Sequence, residues 1–498
     1  MNWFAKNVLL FNLVVLVAAL AWIHGGTRPD LLFPVIPWLT LPVLEWLLVY
    51  PQAKKDETLF DARRRVWHGL ARDPLMYLAV LFSVVLVIPL FNVAEAPKFI
   101  AESGEWLKFE PPVKWLPFCT DPDTHGVLLL WFVPAMIAVL AAKHALLKKG
   151  KRVLLEAACW NGGVLAVFGF IQMWSGTDSI FWTTPMPSYF FSTFGYPNIA
   201  GAYFTLTFAL SFGIWFQQMT EASELFEESL SVIEHPSMLR ANRMLVPMIV
   251  CFAAAITTLS RAAILLCAIL AVVFLVYGLM YTWKRMSVSL RVIVVSSVVG
   301  VLFCATALFF AFDWKEFKQE ASTIDMDAVV DRVSGREYYH ARVAKAIWGD
   351  YPVFGVGGWG YPSYVRAYVT PEEEKKGLQI IGGANVHNDS LQFLAEQGVV
   401  GFGLMVVFAL LLFGTMAWQA LAFCHAKRFV ERSIGKKTLT KRFYLIPPPV
   451  VAAWAGTTAT VCHSFGDLPF RSPAVLVVWL LALVCATGWI PVLAMKKK

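Results

Sequence analysis

Arg261, Arg336 and His387 are the residues whose types and surroundings could do chemistry. Arg261 stands in Thr258-Leu259-Ser260-Arg261, between two apolar stretches. An arginine that close to hydrocarbon is costly unless it snorkels to the interface or meets an anion. It therefore reads either as an interfacial anchor or as an anion site at a membrane face. Arg336 follows Gly335 at an expected helix start, and taken alone it reads equally as a solvated loop arginine. His387 lies in Asn385-Val386-His387-Asn388-Asp389-Ser390, just ahead of another expected helix. Imidazole titrates near neutrality and can carry a proton, but a structural or capping histidine is the alternative. Asn388, Asp389 and Ser390 all suit a helix cap.

Other motifs carry less. Gly355-Val356-Gly357-Gly358-Trp359-Gly360 matches the dinucleotide-binding glycine pattern literally. It lacks the strand–turn–helix setting and the downstream acidic partner, so it reads as a turn cluster shaping a site. Asn388-Asp389-Ser390 is a formal glycosylation sequon of little weight. His340, His387 and His463 match no local metal motif, and no metal or cofactor is expected. The eight cysteines form no C-x-x-C pair and mostly sit in apolar runs, where a cysteine behaves as a small hydrophobe.

The elements that must position these residues follow from composition. Of 498 residues, 58% are hydrophobic and 15% charged, with a mean hydropathy of +0.61. Soluble domains carry about 25% charged residues. Disorder, a coiled coil and an ordinary cytosolic enzyme are excluded, and an all-α polytopic membrane protein is expected. Apolar segments of about 20 residues are long enough to span a bilayer. Twelve candidates fall near 7–23, 31–50, 75–93, 127–147, 153–173, 198–219, 244–259, 262–280, 290–312, 399–423, 445–463 and 473–495. The first reads as an uncleaved span. The second, with Pro34, Pro37 and Pro42, should be kinked. The seventh and eighth are parted only by Ser260 and Arg261, as a tight hairpin or a broken helix.

The net charge of +8 reports topology rather than nucleic-acid binding. With the N-terminus inside, 27 of the 42 Lys and Arg fall on the cytoplasmic side, as the positive-inside rule requires. Both termini are then cytoplasmic. Residues 1–312 hold spans one to nine. Residues 313–397 form a long outer loop, a small subdomain with short helices. Residues 398–498 hold spans ten to twelve and a cytoplasmic C-terminus. Within the loop, Tyr339, Val343 and Ile347 fall at helical spacing before Pro352 and the glycine cluster end the helix. There is no internal repeat. A transporter of two six-span halves would more often put its long connection after span six, in the cytoplasm.

Four ordered motifs resemble the O-antigen ligase and polymerase superfamily of bacterial glycan-assembly enzymes. They are Phe194-Gly195-Tyr196-Pro197-Asn198-Ile199-Ala200-Gly201; Leu259-Ser260-Arg261-Ala262-Ala263; Gly335-Arg336, followed by Tyr351-Pro352-Val353-Phe354-Gly355-Val356-Gly357; and Val386-His387-Asn388-Asp389-Ser390 continuing through Gly398 to Gly401. Together they cover roughly residues 190–425, and their order and common outer side make the set specific. The resemblance implies a multi-pass glycosyltransferase of the bacterial inner membrane with a fold like the GT-C type. It implies a metal-independent site facing the periplasm and a glycan donor on undecaprenyl diphosphate. The acceptor would be the lipid A core oligosaccharide in a ligase, another lipid-linked repeat in a polymerase, or a protein hydroxyl in a third branch.

Such a donor leaves as a diphosphate. Arginine binds phosphate bidentately and stays protonated, so the resemblance makes Arg261 and Arg336 a diphosphate clamp. It makes His387 the general base for the acceptor hydroxyl, with inversion at the anomeric carbon. Tyr196 and Asn198 would shape the donor site, Asn388 would lie beside it, and His463 and Asp467 would orient the base or bind sugar. The ligase is the preferred reading. A transporter is the alternative from another class, and would need ionisable groups converging at the membrane midplane rather than at the outer face.

Overall fold

The computed structural model describes residues 3–186, 188–224, 242–285, 300, 339–369, 385–433 and 446–491. It is mostly helical. The main helices are α1 (Trp3–Trp22), α2 (Ile36–Val49), α3 (Leu59–Ala71), α4 (Pro74–Val87), α5 (Pro122–His144), α6 (Lys148–Trp174), α7 (Pro197–Glu224), α8 (Leu245–Thr257) and α9 (Arg261–Arg285). They continue as α10 (339–350), α11 (Asp389–Ser433), α12 (Pro448–Ser464) and α13 (Pro473–Cys485). Among the described residues, six helical stretches are long and apolar enough to cross a bilayer, and Asn7–Trp22, Ile36–Val49, Leu245–Thr257 and Pro473–Trp489 are shorter apolar helices. An all-α membrane protein is consistent with this. Of the twelve expected spans, the ninth falls among residues outside those described, as do Arg336 and much of the expected outer loop.

Helix boundaries follow local chemistry. Asp73, Asp121 and Ser472 cap α4, α5 and α13, each accepting from a backbone N–H of the first turn. Proline opens α4, α5, α7, α12 and α13, where its missing N–H costs nothing. The proline-rich second segment is divided, as Pro29–Leu32 and α2. The seventh and eighth spans are a tight hairpin: Thr258 caps the first, Leu259 takes φ +60° and Arg261 opens the second, which runs back so that Phe252 and Phe274 both lie against Phe208.

The apolar window of α7 is entirely buried, whereas that of α11 is 22% buried and presents its apolar side chains outward. Small residues let neighbours close on α7. A Cβ at Gly213 would lie 2.4 Å from Cβ of Ala452 on α12, and one at Gly201 would lie 2.5 Å from Cβ of Ala263 on α9.

The connections sort to two ends. At one end Thr193 Oγ1 donates to Ala21 O (2.7 Å), Ser472 Oγ donates to Gly25 O (2.5 Å), and Lys108 pairs with Asp350 (2.8 Å). At the other, Gln52 N donates to Ala145 O (3.0 Å) and Arg65 to His144 O (3.0 Å). There too Arg152 donates to Gly488 O (2.9 Å) and Lys148 Nζ rests on Ile490 O.

Helix α11 is broken at Gly398 (φ 59°, ψ −170°). The glycine cluster repairs the break. Val356 N and Gly357 N donate to the carbonyls of Ala395 and Glu396 (3.0 and 2.9 Å), while Val399 N and Val400 N donate to Pro352 O and Val353 O (2.9 and 3.1 Å). The backbone groups that the break would orphan are thus paired. A side chain at Gly398 would collide with the Val353 backbone at 2.3 Å, so only glycine fits.

Candidate functional site

Tyr196, Asn198, His387 and Asp467 meet at the first of these ends. Tyr196 is placed by Pro197, which opens α7, and its carbonyl accepts from Ala200 N (3.2 Å). Asn198 lies in the first turn. Asp467 sits in the turn after α12, where its Oδ1 accepts from Leu468 N (2.8 Å) and its carbonyl from Asp389 N (3.2 Å). The Tyr196 hydroxyl donates to Asp467 Oδ2 (3.1 Å) and accepts from Asn198 Nδ2 (3.1 Å). Asn198 Nδ2 also contacts Asp467 Oδ2 directly.

His387 Nδ1 lies 3.4 Å from the Tyr196 hydroxyl and 3.7 Å from Asp467 Oδ1. The second is an ion-pair distance, beyond a hydrogen bond. Both neighbours favour the proton on Nδ1. Nε2 is then the basic nitrogen, and no hydrogen bond is recorded for it among the described residues. His387 is 26% exposed, Asp467 only 6%. His387 also has φ +55°, a left-handed conformation that strains a residue with a Cβ.

Asn388 has a different task. Its Oδ1 accepts from Leu391 N (3.0 Å), capping α11, and its Nδ2 donates to Phe465 O (2.9 Å). Both polar atoms are therefore engaged in holding the two loops together. His463 is 2% exposed, and neither ring nitrogen has a hydrogen-bond partner among the described residues. It lies one turn before Asp467 without bonding to the cluster. Arg261 is exposed at the start of α9. Its turn packs on the opening of α7, since Gly201 faces Ser260 and Thr258 as well as Ala263. That contact sets Arg261 at the same end as Asn198.

The sequence reading missed a buried polar set behind His387. Arg471 (4% exposed) donates from Nη2 to Glu396 Oε2 (2.6 Å; Glu396 is 1% exposed). Gln392 Nε2 donates to Glu396 Oε1 and to Asn385 Oδ1 (both 3.0 Å), while its Oε1 accepts from Val386 N (2.9 Å). The guanidinium stacks on Trp359 at 3.9 Å. Arg471 counts in the sequence only as an outer-side charge, and Glu396 and Gln392 are single polar residues within a longer motif. A pairing across 75 positions leaves no local signal.

The glycine cluster carries its own anchor. Gly358 N donates to His125 Nδ1 (2.7 Å), so the proton of that ring is on Nε2, which donates to Leu86 O (2.8 Å). His340, a metal candidate by position, is taken up by the Tyr361 hydroxyl at 2.8 Å. Burial, with the Glu396 charge, pushes the Tyr361 hydroxyl pKa up. The Lys108 ammonium and then the Tyr368 hydroxyl hold the Asp350 carboxyl below its usual range, which ties the Lys98–Leu107 hairpin region to residues 339–369.

An apolar cavity of about 360 Å³ lies among α4, α5, α11, α12 and α13, lined by Phe82, Phe132, Met136, Phe408, Phe413 and Trp479. Asp389 and Ser390 also line it. Hydrocarbon-sized space therefore reaches the helix start that follows His387.

Chemically, the cluster can move a proton at Nε2 of His387 and offers cationic and amide groups at the same end. Residues 246–423 match the family model described as O-Antigen ligase. No curated protein matches the chain.

Proposed function

Residues 246–423 carry the domain of the O-antigen ligase and polymerase superfamily, and from that premise we propose a metal-independent glycosyltransferase of the bacterial inner membrane. The donor is a glycan on undecaprenyl diphosphate. The acceptor is the lipid A core oligosaccharide, and the site faces the periplasm, with both chain termini in the cytoplasm. The observation that carries this reading is the Tyr196–His387–Asp467 cluster at the same end as Arg261. Ionisable groups converging at one end suit transfer chemistry better than transport, which would want them at mid-depth.

In the proposed reaction the acceptor hydroxyl attacks the anomeric carbon as its proton passes to His387 Nε2. Asp467 and Tyr196 hold Nδ1–H and stabilise the imidazolium that forms. The bond from the anomeric carbon to the diphosphate oxygen breaks, and the electron pair leaves with the diphosphate. Arg261, with Arg336 from the outer loop, binds the charge that develops there. Attack opposite the leaving group inverts the centre.

A reconstituted assay tests this, with lipid-diphosphate glycan as donor and either lipid A core or a second donor molecule as acceptor. Transfer to the core is expected, unaffected by EDTA. Arg261→Ala should lower turnover about 10²–10³-fold with membrane insertion intact. Transfer only to a second donor would make the protein a polymerase. EDTA inhibition reversed by a divalent ion, or wild-type turnover by Arg261→Ala, would overturn the clamp.

A further inference from the structure

We propose that Gln392, Glu396 and Arg471 are positioning residues that hold His387 in its working geometry; this rests on the reading of His387 as the base. His387 occupies a left-handed backbone conformation (φ +55°) that persists only where its surroundings impose it. The residues on either side of it are fixed. Before it, Gln392 (0% exposed) takes Val386 N on Oε1 and gives both Nε2 hydrogens to Asn385 and Glu396. After it, Asn388 caps α11, and Asp389 is clasped to the turn that carries Asp467. Asp389 N donates to Asp467 O (3.2 Å), and Phe470 N donates to Asp389 Oδ2 (2.9 Å).

The Glu396–Arg471 pair closes the loop between these two strips of chain. Glu396 aims Gln392 at the residues preceding His387. Arg471 lies four residues beyond Asp467, so the same ion pair fixes the base and the carboxylate facing it. One device thus sets the 3.7 Å separation of His387 from Asp467.

Stability alone accounts poorly for this arrangement. A buried ion pair is often matched or bettered by apolar residues of the same volume. Arg471 also leaves Nε and Nη1 without hydrogen-bond partners among the described residues, so the site is not optimised as a staple. What the pair supplies, and an apolar pair would not, is a directed acceptor for Gln392.

The test uses the full-length protein in the transfer assay, with kcat, donor KM and the thermal unfolding midpoint in detergent measured together. Gln392→Met keeps length and loses every hydrogen bond. It should lower kcat about 30–100-fold, the scale of a displaced catalytic group, with KM within about threefold. The paired replacement Glu396→Leu/Arg471→Met should lower kcat at least tenfold while the unfolding midpoint holds or rises. In a His387→Ala background neither change should reduce the residual rate further, because both act through that side chain. Wild-type kcat in both variants, or losses that multiply onto His387→Ala, would overturn the proposal. If His387→Ala is slow but Gln392→Met is fast, only the positioning role fails. If His387→Ala itself turns over normally, the base reading fails and this proposal with it.

Discussion

Among the described residues two aspartate–histidine pairs stand out, one at each end. Asp73 meets His144 Nε2 at 2.6 Å and Lys143 at 2.7 Å, caps α4 through Leu75 N, and is 6% exposed. Asp467 meets His387 at 3.7 Å, with Tyr196 and Asn198 between and beside them. In the first pair Asp73 Oδ2 takes both His144 and Lys143 at short range and Oδ1 takes Leu75 N, and Gly69 leaves just the space that the His144 ring needs, since a Cβ there would lie 2.6 Å from its Nδ1. In the second, the ring is more exposed, held at longer range and carried on strained backbone. The same residue types therefore make a staple at one end and a site with spare hydrogen-bonding capacity at the other. Short, complete bonding stabilises; open bonding on an imposed geometry is what proton transfer needs.

The comparison can be broken by exchanging readouts. Asp467→Asn should cut turnover about 100-fold, because it removes the charge facing the imidazolium and loosens the ring. Asp73→Asn should leave turnover within about threefold and lower stability by roughly 1.5–3 kcal/mol, the worth of charged hydrogen bonds, read as a lower unfolding midpoint in detergent. If Asp73→Asn abolished transfer at unchanged stability, the two ends would not divide as described.

A smaller effect is expected from pH. Burial raises the Asp73 carboxyl, but hydrogen bonds from His144 and Lys143 outweigh it and bring the pKa down to about 2. A depressed acid stabilises the fold above its unfolded value, near ~4, and loses that contribution as pH falls toward its folded one. The unfolding midpoint should thus drop between about pH 4 and pH 2, and Asp73→Asn should show a flatter profile over that window.

Much of this was legible in the sequence where physics is local. Hydropathy marked the apolar helices and put starts near 75, 198 and 473, within a residue of where α4, α7 and α13 begin. His387 could be singled out from its type and its place before a helix, the resemblance added Tyr196, Asn198 and Asp467, and the structure brings these four together. Arg261 reaches the same end, while Arg336 lies outside the described residues. Other roles depended on tertiary pairing. Asn388 reads as a substrate contact or a cap from its neighbours, and only Phe465 O shows what its amide holds. His463 reads as a partner for the base, yet it is buried off the cluster. The helix that leads into the tenth span reads as starting near Asn388 from its capping residues, and it begins at Asp389, but nothing local says that it breaks at Gly398 under the glycine turn. Glu396 and Arg471 are ordinary charges until the chain folds them together.

The most direct test of the central claim is the single-turnover transfer rate of His387→Ala beside His144→Ala, with donor binding measured separately. The site described here predicts a loss of about 10²–10⁴-fold for His387→Ala at donor affinity within about threefold, and a near-normal rate for His144→Ala. A His387→Ala protein that transfers glycan at the wild-type rate would contradict it.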